Sequence, residues 1–185
     1  SSDVCSSDLA EYKQSIYASR IQTTRNVTDA RKGEGQTLLS TSAAGIYGDR
    51  GDTLLTEAQG PGSGFLSRVC VDWEKEAFRA AEKGARVAVM RLGVVLGEAG
   101  GALALMMPAF KMFAGGPLGG GDQWFPWIHI RDLVRAARFL LNDESLEGVF
   151  NFTGPTPIRQ KEFAKALGRA ISRPAFLPTP AFAVR

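Results

Sequence analysis

Residues 86–96 read RVAVMRLGVVL, a run of apolar and β-branched residues interrupted only by Arg91 and Gly93 after its opening arginine. A strand with one wet face alternates between apolar and polar residues. This run does not, and so matches a strand covered on both faces. Strands of that kind lie in parallel sheets between layers of helix, so the flanking sequence is expected to read as helix. On the N-terminal side, residues 65–83 place Phe65, Val69, Trp73 and Phe78 on or near one helical face. On the C-terminal side, Gly100 and Gly101 open a second helical stretch that runs to about residue 113.

Further out, the alternation continues. Residues 10–31 carry Tyr12, Ile16, Ile21 and Val27 at helical spacing, and Gly33 and Gly35 end the pattern. Residues 37–41 form a short buried strand, and 48–64, with five glycines and Pro61, a loop. GGPLGGGDQWFPW at 115–127 has the densest glycine in the chain and reads as a flexible loop. Residues 128–130 are extended, Asp132 caps the helix LVRAARFLL, 149–152 form a strand and 160–171 a helix. The expected fold is therefore α/β, a parallel sheet with flanking helices in one main domain. The 115–121 loop and the C-terminal segment are expected to belong to a small substrate lobe.

Composition narrows the function. A net charge of +3 with basic residues scattered among acids leaves no basic block for nucleic acid. The longest apolar run, 102–110, is too short to span a bilayer and contains Pro108. Two cysteines make no disulfide framework, so a reducing cytoplasm is the expected compartment. Residues 1–9, SSDVCSSDL, nearly repeat themselves and carry neither period; they read as a foreign leader or a disordered native tail. The native domain is accordingly expected over 10–185.

Several chemistries lose support. One histidine and two distant cysteines do not make a zinc site without several carboxylates, so no metal is expected. His129, between Ile128 and Ile130, reads as a buried histidine donating to backbone. No G-x-S-x-G elbow is present, which removes the α/β-hydrolase reading. Neither G-x-G-x-x-G nor a P-loop follows a strand.

Three stretches, TSAAGIYGDRGD (41–52), the run from MRLGVVLG at 90–97 through GGPLGGGDQWFPWIHIRDL (115–133), and VFNFTGPTPIRQKEFAKALGRA (149–170), together resemble a known family. They are similar to the epimerase/dehydratase-like branch of the extended short-chain dehydrogenase/reductase superfamily, in its atypical "epimerase family protein" subgroup. The resemblance covers about residues 10–185. It implies a Rossmann-like sheet holding NAD or NADP, with NADP slightly favoured, at the carboxyl ends of the strands. It also implies that this sequence holds the second half of the nucleotide-binding fold, without the glycine-rich turn that grips the cofactor pyrophosphate. A small-molecule substrate, and neither nucleic acid nor a membrane, is the implied partner.

By the same resemblance, Ser42 orients substrate at the end of a strand and Thr41 lies beside the cofactor. The superfamily's proton relay needs a tyrosine and a lysine four residues on, one helical turn apart. The helix expected to carry them, FLSRVCVDWEKEAF, has no tyrosine. Its registers pair Leu66 with Cys70, Arg68 with Asp72, or Val69 with Trp73. Asparagines usual in the relay and near the nicotinamide correspond to Arg20 and Val94. Cys70 is a substitute proton carrier if its thiol is exposed and acidified. Asp72 and Glu74 are candidate acids, although carboxylates on an amphipathic helix more often read as solvated, and Tyr47 reads as packing. Arg91 and Arg131 are candidates to meet an anionic substrate or a cofactor phosphate. Gly119, Gln123 and Trp124, with Trp127 nearby, are candidates to line a substrate pocket.

Overall fold

The computed structural model describes residues 2–31 and 35–177, with side chains from Leu9 onward. Five helices and five strands alternate along it: α1 (Ser2–Ala30), β1 (Thr37–Ala43), α2 (Phe65–Phe78), β2 (Arg86–Leu92), β3 (Val94–Gly97), α3 (Gly101–Lys111), β4 (Trp127–His129), α4 (Ile130–Asn142), β5 (Gly148–Phe152) and α5 (Gln160–Ala170). The expected α/β architecture is present, a Rossmann-like arrangement of parallel strands flanked by helices. The chain divides into two compact units. The first takes in the residues up to Arg91 with Ala137–Asn151, and the second takes in Leu92–Ala136 with the chain from Phe152 onward.

The first unit is built on a three-stranded sheet in the order β1-β2-β5. Its core is Ala77, Ala80, Ala85, Val87 and Val89, with Leu38, Phe78 and Val149 packed against it. Val87 to Met90 are all buried in sequence, which is the two-sided burial that the unalternating run 86–92 predicts. A second cluster, Ile46, Tyr47 and Cys70, lies against Ala43 and Leu55.

α2 packs on α1, and its inward face differs from the expected one. Of the expected face Val69 is buried, but Phe65, Trp73 and Phe78 are only half-buried, and Ser67, Cys70, Glu74 and Ala77, at i, i+3, i+7 and i+10, complete the buried side. Trp73 instead spends its indole N–H on the Thr24 hydroxyl, at 2.7 Å, across the α1–α2 seam. The helix also stops at Phe78; residues Ala81–Lys83 form a separate 3-10 turn, closed by Gly84 in the left-handed region. α1 begins at Ser2, so regular helix covers most of the segment 1–9. Of its expected inward residues Ile21 is buried, whereas Tyr12 and Val27 face solvent.

The single strand expected over 86–96 is two strands. β2 joins the sheet of the first unit, and after Gly93 the backbone continues as β3, which pairs in parallel with β4 in the second unit. Gly93 is required at the break: a Cβ there would lie 2.7 Å from the Pro126 carbonyl oxygen. Asp132, expected as a cap, lies inside the first turn of α4, which starts two residues earlier.

In the second unit, the glycine-rich segment before β4 is tied to the start of α5. The Gln160 N–H donates to the Gln123 carbonyl, Lys161 N–H to Gly121 and Phe125 N–H to Ile158, each at 2.9 Å. Gln160 is 2% exposed, and its Oε1 accepts from the Leu118 N–H at 2.8 Å. Phe125 stacks on Phe163 at 4.5 Å between ring centroids. A segment that reads as a flexible loop by composition is in fact anchored along its length.

Candidate functional site

β1 carries hydroxyl residues to its end because Ser40 and Ser42 share one face and Thr41 takes the other. Ser40 and Ser42 are buried, and Thr41 is half-buried. Ser42 faces α2, where Cys70 and Glu74 stand one turn apart on the same side. The register that pairs Leu66 with Cys70 thus sets its second residue against Ser42 and Ala43, and leaves Leu66 exposed.

The sequence reading placed Glu74 in solvent. It is instead the hub of a buried polar network. The Ser42 hydroxyl donates to Glu74 Oε1 at 2.7 Å. Arg91, from β2, grips both carboxylate oxygens, Nε to Oε1 at 2.9 Å and Nη2 to Oε2 at 2.8 Å. Its remaining nitrogen, Nη1, donates to the Tyr47 phenol oxygen at 2.9 Å, and that phenol donates to Asn151 Oδ1, on β5, at 2.7 Å. The Arg91 guanidinium also lies 5.2 Å from the Tyr47 ring centroid. Both members of the ion pair have side chains 9% exposed. A bidentate pair in which all three guanidinium nitrogens are bonded is the geometry in which a buried ion pair offsets its desolvation cost.

Two consequences follow for the candidate residues. Arg91, considered for an anionic ligand, has all three guanidinium nitrogens committed inside the first unit. Hydrogen bonding to Glu74 holds its own affinity for the proton still higher than usual, so it is a permanent cation there. Cys70 is 4% exposed, and burial pushes its thiol up, away from the thiolate a proton carrier or nucleophile needs. Asp72, half-buried on α2, accepts from the Tyr17 phenol of α1 at 2.8 Å. Arg20 stays on the surface of α1, bonded to Ser19 and the Ile16 carbonyl.

The other candidates lie in the second unit. Val94 opens β3 opposite Trp127. Gln123 donates its amide to the Leu118 carbonyl at 3.0 Å, bracing the glycine segment from within. Trp124 carries the Arg159 guanidinium over its ring at 3.8 Å. Gly119 lies in an exposed turn at φ 58°, in the left-handed region. Separate from these, a groove of about 570 Å³ is lined by Val95, Gly97, Gly100, Gly101, His129 and Arg131. His129 is half-buried and accepts a hydrogen bond at Nδ1 from the Arg131 backbone N–H at 3.2 Å, where the sequence reading had it donating to backbone. Arg131 alone of the four substrate candidates lines this groove.

Sequence reasoning weighed Glu74 only as a candidate acid on a solvated face, and it missed Asn151. The signal for Glu74 was available: Cys70-x-x-x-Glu74 shares the spacing and the buried face of the sought pair. Nothing local marked Asn151, whose partner Tyr47 is 104 residues away.

Comparison with known proteins places this arrangement. An Arabidopsis thaliana protein, the chloroplastic homolog of epimerase family protein SDR39U1, is 44% identical over 180 residues, covering 95% of this chain and 52% of its own length. The crystal structure of human epimerase family protein SDR39U1 (isoform 2) with NADPH superposes with a TM-score of 0.83 at 31% identity, over 94% of this chain and 60% of that one. A nucleoside-diphosphate sugar epimerase from Corynebacterium glutamicum superposes at 0.75 with 34% identity, over 94% of this chain and 39% of its own. The chain thus spans between about two-fifths and three-fifths of the length of these proteins. The profile of the NAD dependent epimerase/dehydratase family matches residues 5–152. On that match, and on the shared fold, the chain belongs to the NAD dependent epimerase/dehydratase family.

Proposed function

We propose that the protein is an NADP(H)- or NAD(H)-dependent oxidoreductase or epimerase-like enzyme, acting on a small or nucleotide-linked substrate without a Tyr-x-x-x-Lys pair. The observation that carries this reading is the 0.83 superposition on a relative solved with NADPH, at 31% identity and over 94% of the chain. The same likeness is the reason to favour NADP over NAD.

The proposed cofactor contacts, each taken within its own unit, have the uncharged chemistry of contacts to a nicotinamide. In the first unit, Thr41 offers a half-buried hydroxyl beside the committed Ser42; in the second, Val94 offers a half-buried apolar contact. Neither carries charge, and Arg91 has none to spare for a phosphate. A nicotinamide, when bound, supplies hydride transfer, and this chain's part is to orient it. Gly119, Gln123, Trp124 and Arg131 remain the proposed substrate contacts, with a free buried thiol at Cys70 in keeping with a reducing, cytoplasm-like compartment.

The direct test is fluorescence titration of the intact protein with NADPH and then NADH. Saturable enhancement, stronger for NADPH, is the expected result; no response to either nucleotide refutes the reading. A second reading is favoured by one observation: the Ser42 proton is directed at Glu74 and α2 supplies no tyrosine. On that reading the protein binds the nucleotide and does not turn it over. Cofactor turnover with any substrate of a broad panel, lost in Thr41→Val, would eliminate it.

A further inference from the structure

The end of β1 is where the resemblance to the superfamily puts acid–base chemistry, and the polar groups there have another use. Ser42 and Tyr47 are 2% and 3% exposed, and each hydroxyl proton points at a buried acceptor, Glu74 Oε1 and Asn151 Oδ1 respectively. The Tyr47 oxygen also receives Arg91 Nη1. Cys70 closes over Ser42 and Ala43 one helical turn before Glu74. Five residues from β1, the turn after it, α2, β2 and β5 are thereby joined in one network: Ser42 and Arg91 both donate to Glu74, Arg91 also donates to Tyr47, and Tyr47 donates to Asn151.

We propose that this chain is a proton-inert positioning network, in which Glu74 and Arg91 hold Ser42 and Tyr47 with their protons turned inward. Ser42 is then a positioning residue and not a catalytic one. The network sets the strand ends in register; a proton required by any reaction at this face comes from outside it. In a conventional relay the helix presents a phenol and an ammonium at i and i+4, free to exchange with ligand. Here the pair at that spacing is a thiol and a carboxylate, Cys70 and Glu74, both turned into the protein. Burial fixes the outcome, because a buried carboxylate that already accepts three hydrogen bonds loses more than it gains by releasing one.

This inference deepens the proposed function and rests on it only for which face meets a cofactor. Its test needs no cofactor, so it fails or survives independently of the NADPH titration. The measurement is a double-mutant cycle by chemical denaturation on Ser42→Ala and Glu74→Gln, with Ser42→Thr as the conservative rescue. Ser42→Ala is expected to shift the unfolding equilibrium roughly 5- to 10-fold toward unfolded, and Ser42→Thr to recover most of that. The double variant is expected to be at least about 5-fold more stable than the product of the single effects. Arg91→Lys, which keeps the charge but not the fork, is expected to give no rescue of its own. Independent single effects, or a Ser42→Ala variant as stable as the parent, would overturn the proposal. If Glu74→Gln does not fold, the alanine and threonine variants at position 42 still decide it, since a hydroxyl serving ligand alone gives no difference in stability between them.

Discussion

Arg86 Nη1 donates to the Leu146 carbonyl at 2.7 Å, although the two residues are 60 positions apart. The same nitrogen reaches the carbonyls of Leu140 at 2.9 Å and Asp143 at 3.2 Å, while Nη2 reaches Leu141 at 3.1 Å. A helix leaves its last four carbonyls without internal partners, and its C-terminus carries partial negative charge. Arg86 meets both needs for the end of α4, and in doing so ties the first residue of β2 to the lead-in of β5. Arg86→Met is therefore expected to cost about 2–3 kcal/mol, read as a lower urea midpoint at unchanged slope. Arg86→Lys, with one charged nitrogen for four carbonyls, should restore less than half of the loss.

A second prediction concerns pH and the α1–α2 seam. Glu76 accepts from Arg25 at 2.6 Å and from Arg79 at 2.8 Å, and Arg79 also pairs with Asp29 at 3.0 Å. The hydrogen bond from Arg25, ahead of that from Arg79, holds the Glu76 carboxyl down at about 2, against an ordinary 4.5. Because its folded value lies below its unfolded one, this carboxylate contributes stability above about pH 4.5, and that contribution drains away between about 4.5 and 2. Water around Arg25, which is 44% exposed, screens the pair, so the effect is about 1 kcal/mol. Thermal melts from pH 6 to 2.5 should show Glu76→Gln starting lower than the parent and converging on it at the acid end. Parallel curves would contradict the assignment.

Much of this was legible in the sequence, and the failures have physical causes. The alternation of helices and strands needs only periodicity, which is local, and it appears in the chain as read. The break at Gly93 does not show in RVAVMRLGVVL, because two strands of the same two-sided character meet there. What separates them is the approach of the Pro126 carbonyl, more than thirty residues away in sequence. Glu74 was misplaced because a carboxylate on an amphipathic helix is ordinarily wet, and only its distant partner Arg91 makes burial tolerable. The glycine segment 115–126 failed for the same reason: composition reports conformational freedom, not the anchors that α5 supplies. The resemblance to the family gave the fold class and the strand end at Ser42, but not these long-range contacts, which depend on partners that no local motif names.

Gly93 supplies a third prediction. A Cβ at this position would lie 2.7 Å from the Pro126 carbonyl oxygen, 2.8 Å from its carbon and 3.2 Å from Thr153 Cγ2. Two of these neighbours are backbone, held by the Val94 N–H bond to the Pro126 carbonyl at 2.7 Å, so neither yields by rotating a side chain. Gly93→Ala should cost about 2–4 kcal/mol. By contrast Gly60→Ala, where nothing lies within 4 Å, should stay within about 0.5 kcal/mol of the parent. Melting the two variants side by side separates steric approach from any general effect of removing a glycine.

The glycine-rich segment gives the last prediction, and it joins stability to the proposed substrate contacts. Gln160 is nearly sealed from solvent; its side-chain Oε1 accepts from the Leu118 backbone N–H, while its backbone N–H donates to the Gln123 carbonyl. Asp122 adds a surface latch, taking Lys161 Nζ at 2.6 Å, and Gly121 packs between Pro117 and Lys161 where a Cβ would not fit. Gln160→Leu keeps the bulk of the side chain but orphans a Leu118 N–H, which costs about 1–3 kcal/mol when the group stays buried. The cheaper response is for the segment to peel away and let that N–H find water. Amide exchange at Leu118, Gly121 and Phe125 should therefore accelerate at least 10-fold, while amides of β2 in the first unit keep their protection. Lys161→Met, which removes only the exposed latch, should leave those amides close to their parent rates. Equal acceleration in both variants would mean that the surface ion pair, and not the buried glutamine, holds the segment against α5.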